Sequence, residues 1–174
     1  YWALRARQLE GKLDSEEELA LEKIAGEANF YGFAASHALA KASRLEPEQY
    51  SRRPELLEKL LDNIYILRAI EHFAQSELLA ARRDWARAFA HLDQETRLEA
   101  AYLASDLGWH EQAISAAAQA EAWRHYSIRF PNVYREQFRQ QAFRYQQTPQ
   151  WFYATARQES ALSPTAQSSA GAVG

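Results

Sequence analysis

From position 151 to the last residue the chain holds one acidic side chain, Glu159. At 100° per residue, segment 151–162 places Trp151, Phe152, Thr155 and Leu162 on one helical face, with Glu159 in the middle of that arc. Tyr153, Arg157 and Ser160 lie on the other side. A carboxyl among apolar neighbours is costly to ionise, and desolvation lifts its pKa toward the range a general acid needs. The same pattern also fits a half-buried arc with Glu159 snorkelling at its edge. Periodicity leaves both readings open.

Other chemistries find little support. The histidines at 37, 72, 91, 110 and 125 form no His-x-x-x-His pair and no His–carboxylate set at ligand spacing, so neither a metal nor a cofactor is expected. Cysteine is absent, which excludes disulfides, thiolate ligands and a thiol nucleophile. No glycine-rich phosphate loop occurs, and no strained turn presents a serine. Arg52-Arg53 and Arg82-Arg83 read as solvated helix ends. With 20 Lys and Arg against 23 Asp and Glu, the net charge is −3, which argues against a nucleic-acid partner. Hydrophobic residues make up 47% and aromatics 13%, unlike a disordered chain. No apolar run approaches the roughly 18 residues that a membrane span needs.

The elements that must position Glu159 are helical. Six glycines and five prolines punctuate 174 residues, the best helix formers dominate, and runs of alternating β-branched residues are missing. The fold class is therefore all-α. Helices are expected over 1–8, after an N-cap at Asp14, over 30–42 and over 56–80. The helix at 30–42 carries Phe30, Phe33, Ala34, His37 and Ala38 on its apolar face, with His37 as a packing residue. Breaks are expected at Arg83-Asp84, at Leu107-Gly108 and at Phe130-Pro131, the last ending a helix that contains Trp123. A helix through Tyr134, Phe138 and Ala142 runs toward Tyr145. Thr148-Pro149 then starts the helix of Glu159, with Ser163-Pro164 as its stop. Pro47 and Pro54 bracket the best internal boundary. The phrases Leu9-Glu10-Gly11 and Asp106-Leu107-Gly108-Trp109 suggest stacked helical hairpins. The absence of methionine and of an apolar leader, and an ending on a small-residue loop, read as an incomplete chain.

Residues Ala156-Arg157-Gln158-Glu159-Ser160-Ala161-Leu162-Ser163-Pro164, then Ser168-Ser169-Ala170-Gly171-Ala172-Val173-Gly174, closely resemble the first catalytic motif of the soluble lytic murein transglycosylases, within the lysozyme-like superfamily. The pattern is Glu-Ser, a proline four residues after the serine, a later serine, and a Gly-Ala-x-Gly loop. Trp109, Trp123, Arg129-Phe130-Pro131, Tyr134 and Phe138 resemble the family's helical linker domain. Phe30-Tyr31-Gly32-Phe33-Ala34-Ala35 is similar to the end of its α-superhelix. The resemblance implies a superhelix end at 1–46, a helical linker domain at 47–147, and the opening of a lysozyme-like catalytic domain at 148–174. In the family the glycine loop continues into further residues that form most of the sugar cleft.

The resemblance also implies an activity: cleavage of the β-1,4 bond between N-acetylmuramic acid and N-acetylglucosamine of peptidoglycan, leaving a 1,6-anhydro ring, in the periplasm. Glu159 would be the sole acid/base, Ser168 would line the cleft, and Ser160 would pack or hydrogen bond behind it. Pro164 belongs to the motif, and Gly171 and Gly174 would allow close backbone approach. The same glycines also fit an ordinary flexible terminus. Glycan strands are the implied partner. Two other readings stand beside this one: a non-catalytic helical solenoid that binds a protein or glycan, and a hydrolytic lysozyme-like enzyme.

Overall fold

The computed structural model describes residues 1–43, 45–168 and 170–171. Among them, eleven α-helices form and no extended strand does. The chain divides into two compact units, Tyr1–Glu48 and Gln49–Gly174.

The first unit holds α1 (Trp2–Leu9), α2 (Ser15–Ala25) and α3 (Phe30–Ala38). Asp14 starts α2 with a reciprocal capping box. Its carboxylate accepts the Glu16 and Glu17 N–H groups at 3.0 and 2.9 Å, and Glu17 accepts the Asp14 N–H at 3.2 Å. Helix α3 stops four residues short of the expected 42, because Ala40 turns left-handed (φ 51°) and the Lys41 N–H closes back on Ser36 O. Its buried face is Gly32, Ala35 and Ser36, while Phe30, Phe33 and His37 are exposed. Small residues win this face because the backbones meet there. A Cβ on Gly32 would sit 1.8 Å from Glu27 O, and Ser36 Oγ donates to Ala25 O at 3.0 Å.

The second unit holds α4 (Pro54–Leu61), α5 (Ile64–Ala74), α6 (Leu78–Phe89), α7 (Gln94–Asp106), α8 (His110–Gln119), α9 (Tyr126–Arg129), α10 (Arg135–Tyr145) and α11 (Pro149–Ser160). The single helix expected over 56–80 is broken twice. Asn63 caps α5 by accepting the Tyr65 N–H at 3.0 Å, and Ser76 (φ 63°) reverses the chain before α6. Arg83-Asp84 is not a break but the middle of α6. Asp84 is only 2% exposed, and Arg68 Nε lies 3.0 Å from its carboxylate, so the helix tolerates it. Trp123 sits in a turn, half exposed, between α8 and the one-turn α9.

Hairpins α5–α6 and α7–α8 build the core around three rings. Trp109 stacks on Phe73 at 4.7 Å and meets Trp85 edge-on at 5.5 Å. Ala100, Ala101 and Ala104 of α7 and Ala113, Ala116 and Ala117 of α8 are all buried, which lets these two helices approach closely. The segment entering α4 is tied to α7 by the fully buried Glu99. Its carboxylate accepts Tyr50 OH at 2.7 Å and Arg52 Nε at 2.6 Å. Arg52 is thus half of a structural ion pair and not a solvated helix end. Tyr50, desolvated and bonded to that carboxylate, has its pKa raised.

Candidate functional site

Thr148 and Pro149 open α11 as expected, although the Thr148 hydroxyl makes no capping bond. The helix docks by the side opposite to the apolar arc. Tyr153 meets Phe138 of α10 edge-on at 5.7 Å and donates its hydroxyl proton to Pro131 O at 3.1 Å. One turn later, Arg157 Nε donates to Arg129 O at 2.9 Å, with its guanidinium over the Phe130 ring. Burial raises the Tyr153 pKa; burial, then the nearby Arg157 charge, lowers that of Arg129.

The other arc is largely open, with Phe152 half-buried beside Tyr145 and only Leu162, past the helix end, buried. Trp151 is 69% exposed, and Thr155 and Glu159 are exposed too. The expectation of a carboxyl embedded in a buried apolar face is corrected: two backbone anchors and a ring contact decide the docking of α11. Hydrophobicity summed around the helix could not see them.

Past Glu159 the chain turns hard. Ser160 Oγ donates to Ala156 O at 2.8 Å, and Ala161 and Leu162 both adopt left-handed φ (49° and 65°). Two consecutive left-handed non-glycine residues are costly, and surrounding packing must hold them. The Leu162 side chain and Ser163 are buried here. Pro164 and Ser168 are exposed, and Gly171 (φ 83°) donates its N–H to Ser168 O at 2.9 Å. Gly174 lies outside the described residues.

Glu159 lines a cleft of about 870 Å³ between the end of α11 and the exposed sides of α6 and α8. The opposite wall presents Leu79 and Arg82 from α6, and Glu111, Gln112 and Ser115 from α8. Glu111 is committed: its carboxylate accepts Arg82 Nε at 2.8 Å and Trp109 Nε1 at 3.3 Å. Arg82, expected as a solvated end, thus neutralises the second cleft carboxylate. By contrast, among the described residues no hydrogen bond or cation engages the Glu159 carboxylate. Beside this cleft a hollow of about 300 Å³ is lined by Trp109, His110, Tyr134, Leu162 and Pro164. His110 Nδ1 is buried without a hydrogen-bond partner among the described residues, and burial lowers its pKa. Among the described residues no group of three His, Asp or Glu side chains could hold a metal ion, and no helix is long and apolar enough to cross a membrane.

Sequence reasoning singled out Glu159 as a candidate and gave Arg157, Arg82 and Glu111 no part in its setting. The Arg82–Glu111 and Arg157–Arg129 bonds span 29 and 28 positions, and nothing local announces them.

Comparison with known proteins places the chain in a family. Residues 62–125 match the soluble lytic murein transglycosylase L domain, and residues 136–174 match the transglycosylase SLT domain. A Haemophilus influenzae protein assigned as a soluble lytic murein transglycosylase is 37% identical over 94 residues, covering 54% of this chain and 16% of that protein. An inactive Glu-to-Gln variant of the lytic transglycosylase Slt from Pseudomonas aeruginosa superposes over the whole chain with a TM-score of 0.93 at 33% identity. The 70-kDa soluble lytic transglycosylase from Escherichia coli shares the fold, with a TM-score of 0.85 at 22% identity over the whole chain. This chain spans 28% of each of those two structures. The expected all-helical class holds, as a linker domain leading into the start of a catalytic domain. The chain belongs to the soluble lytic murein transglycosylase family, of which it carries the L domain and the first part of the SLT domain.

Proposed function

We propose that this chain is part of a peptidoglycan lytic transglycosylase in which Glu159 is the sole acid/base. The observation that carries the reading is the contrast between the two cleft carboxylates. Glu111 is bound by Arg82 and Trp109, while Glu159 stands in the same cleft with no partner among the described residues. The Pseudomonas relative is inactive as a Glu-to-Gln variant, which supports a glutamate that the relative cannot do without.

The substrate is the MurNAc–GlcNAc β-1,4 bond of periplasmic glycan strands. Glu159 donates its proton to the departing glycosidic oxygen as the bond to C1 breaks. The muramyl 6-hydroxyl then attacks C1, and its proton passes to Glu159, which restores the acid and leaves a 1,6-anhydro ring. The substrate supplies the nucleophile, so no second carboxylate at the roughly 5–5.5 Å separation of retaining glycosidases is required. Glu159 is open to solvent in the described chain, and a glycan seated over it excludes water from the bond to be broken. Ser168 lines the strand's path. Ser160 holds the helix end behind the site through its bond to Ala156 O. Pro164 and Gly171 shape the loop. Residues 1–46 form the superhelix end, 47–147 the linker domain and 148–174 the opening of the catalytic domain.

The test is Glu159→Gln in the full-length protein. Glutamine keeps the shape but cannot donate and recover a proton, a function worth about 10²–10⁴-fold in rate. Loss of peptidoglycan turnover with unchanged circular dichroism is expected. A folded variant that retained near-normal turnover would move the chemistry elsewhere.

A further inference from the structure

Half of the cleft that holds Glu159 is built by residues outside the segment that matches the SLT domain. Helices α6 and α8 supply Leu79, Arg82, Glu111, Gln112 and Ser115, all within or bordering the L-domain match at 62–125. We infer that this face is a glycan-binding wall, and that the L domain grips the substrate strand directly across from Glu159. The inference rests on the acid/base reading of Glu159 and adds a second binding surface to it.

Three features point to a neutral, hydroxyl- and amide-rich polymer. First, the wall carries no net charge: its cation and its anion are bonded to each other, so an anionic ligand gains nothing from Arg82. Second, Gln112 and Ser115 come from one face of α8, three residues apart, and offer both donors and acceptors. Across the cleft Gln158, Thr165 and Gln167 offer the same neutral chemistry. Third, Leu79 is 82% exposed on this wall and gives an apolar step against which the C–H face of a sugar ring can rest.

The wall is also stiff. Glu111 is held by Arg82 from α6 and by Trp109 Nε1, and the Trp109 ring is itself locked between Phe73 and Trp85. The Arg82–Glu111 bond crosses from one helix to the other and fixes the spacing of Leu79 against Gln112. A strand bound there meets a surface already in place, which limits the ordering cost of binding.

The experiment uses the full-length protein with Gln112→Ala plus Leu79→Ala, and separately Ser115→Trp, whose indole would occupy the cleft. Turnover is measured on long glycan strands and on the shortest fragment cleaved. Binding of long strands is measured in the Glu159→Gln background. Both variants are expected to weaken long-strand binding about tenfold and to raise KM on the long strands and on the short fragment alike, with kcat nearly constant. Equal binding and KM on long strands, in variants with unchanged melting temperature, would overturn the wall. So would a loss confined to kcat with KM and strand binding unchanged. Should Ser115→Trp fail to fold, the double alanine variant decides alone, since Leu79 is exposed and Gln112 only half-buried. If Glu159→Gln proves active, the acid/base reading fails, but the binding measurement still reads the wall.

Discussion

Arg157, two residues before Glu159, donates from Nε to the backbone carbonyl of Arg129 at 2.9 Å. With the Tyr153 hydroxyl on Pro131 O, it pins α11 to the turn that follows α9. The helix that carries the proposed acid is thus registered by two side chains reaching main-chain carbonyls.

Loosening that register should cost rate before it costs binding. In the full-length protein, Arg157→Met removes the donor and keeps the aliphatic length over Phe130. A misplacement of about 1 Å can cost on the order of 10²-fold in rate. The expected result is kcat reduced about 10–100-fold with KM little changed, and partial recovery in Arg157→Lys. Equal losses in the two parameters, or none, would assign Arg157 a purely structural role.

Glu99 should be the most sensitive buried charge of the second unit. Removing one partner of a buried ion pair typically costs about 3–5 kcal/mol because the other charge is left without compensation. Glu99→Ala removes the acceptor of Tyr50 and Arg52, but Arg52 is partly exposed and keeps its bond to Asp106, so the loss in urea unfolding should fall below that range, at about 1.5–3 kcal/mol. Tyr50→Phe removes a single bond and should cost about 1 kcal/mol or somewhat more. A Glu99→Ala loss below that of Tyr50→Phe would contradict the clamp.

Much of this fold is legible where helix ends are announced locally. Asp14 declares the start of α2, and Gly108 declares the end of α7: it is left-handed (φ 75°), and the Trp109 N–H returns to Ala104 O. Ser76 and Glu121 occupy the same left-handed position after α5 and α8, with matching return bonds from Glu77 to His72 O and from Ala122 to Ala117 O. Neither residue type signals a stop, so 56–80 reads as one helix and Trp123 as helical. Glu159 is legible because it is alone among 24 residues. Its setting is not, since ring contacts and bonds to carbonyls orient α11, and the cleft's far wall comes from helices distant in sequence.

The His110 environment sets a pH dependence. Its folded pKa lies below the ordinary 6.5, because burial disfavours the charged ring. Below pH 6.5 the unfolded chain therefore takes up a proton that the folded chain resists, and stability falls as pH drops through that range. Above it the effect vanishes. Melting temperatures on both sides of pH 6.5 should show a smaller acid loss in His110→Gln than in the parent chain. An identical acid slope in both proteins would exclude His110 as a contributor.

The 174-residue chain by itself should be predominantly helical by circular dichroism and inactive on peptidoglycan. Trp151, Thr155 and Glu159 stand open to solvent, and the one wall across from the acid does not by itself hold a sugar polymer in a reactive pose. Robust turnover by the purified chain would refute this.

The central claim, one glutamate working with the substrate's own hydroxyl, is tested most directly by the mass of the products. Peptidoglycan digested with the full-length protein should yield muropeptides ending in 1,6-anhydro rings. Each is one water lighter than its hydrolysed counterpart, because attack by the tethered 6-hydroxyl gains an effective concentration that reaches about 10⁵–10⁸ M in aligned cases. Mainly hydrated, reducing-end products would contradict the account and make the enzyme a hydrolase of the lysozyme type.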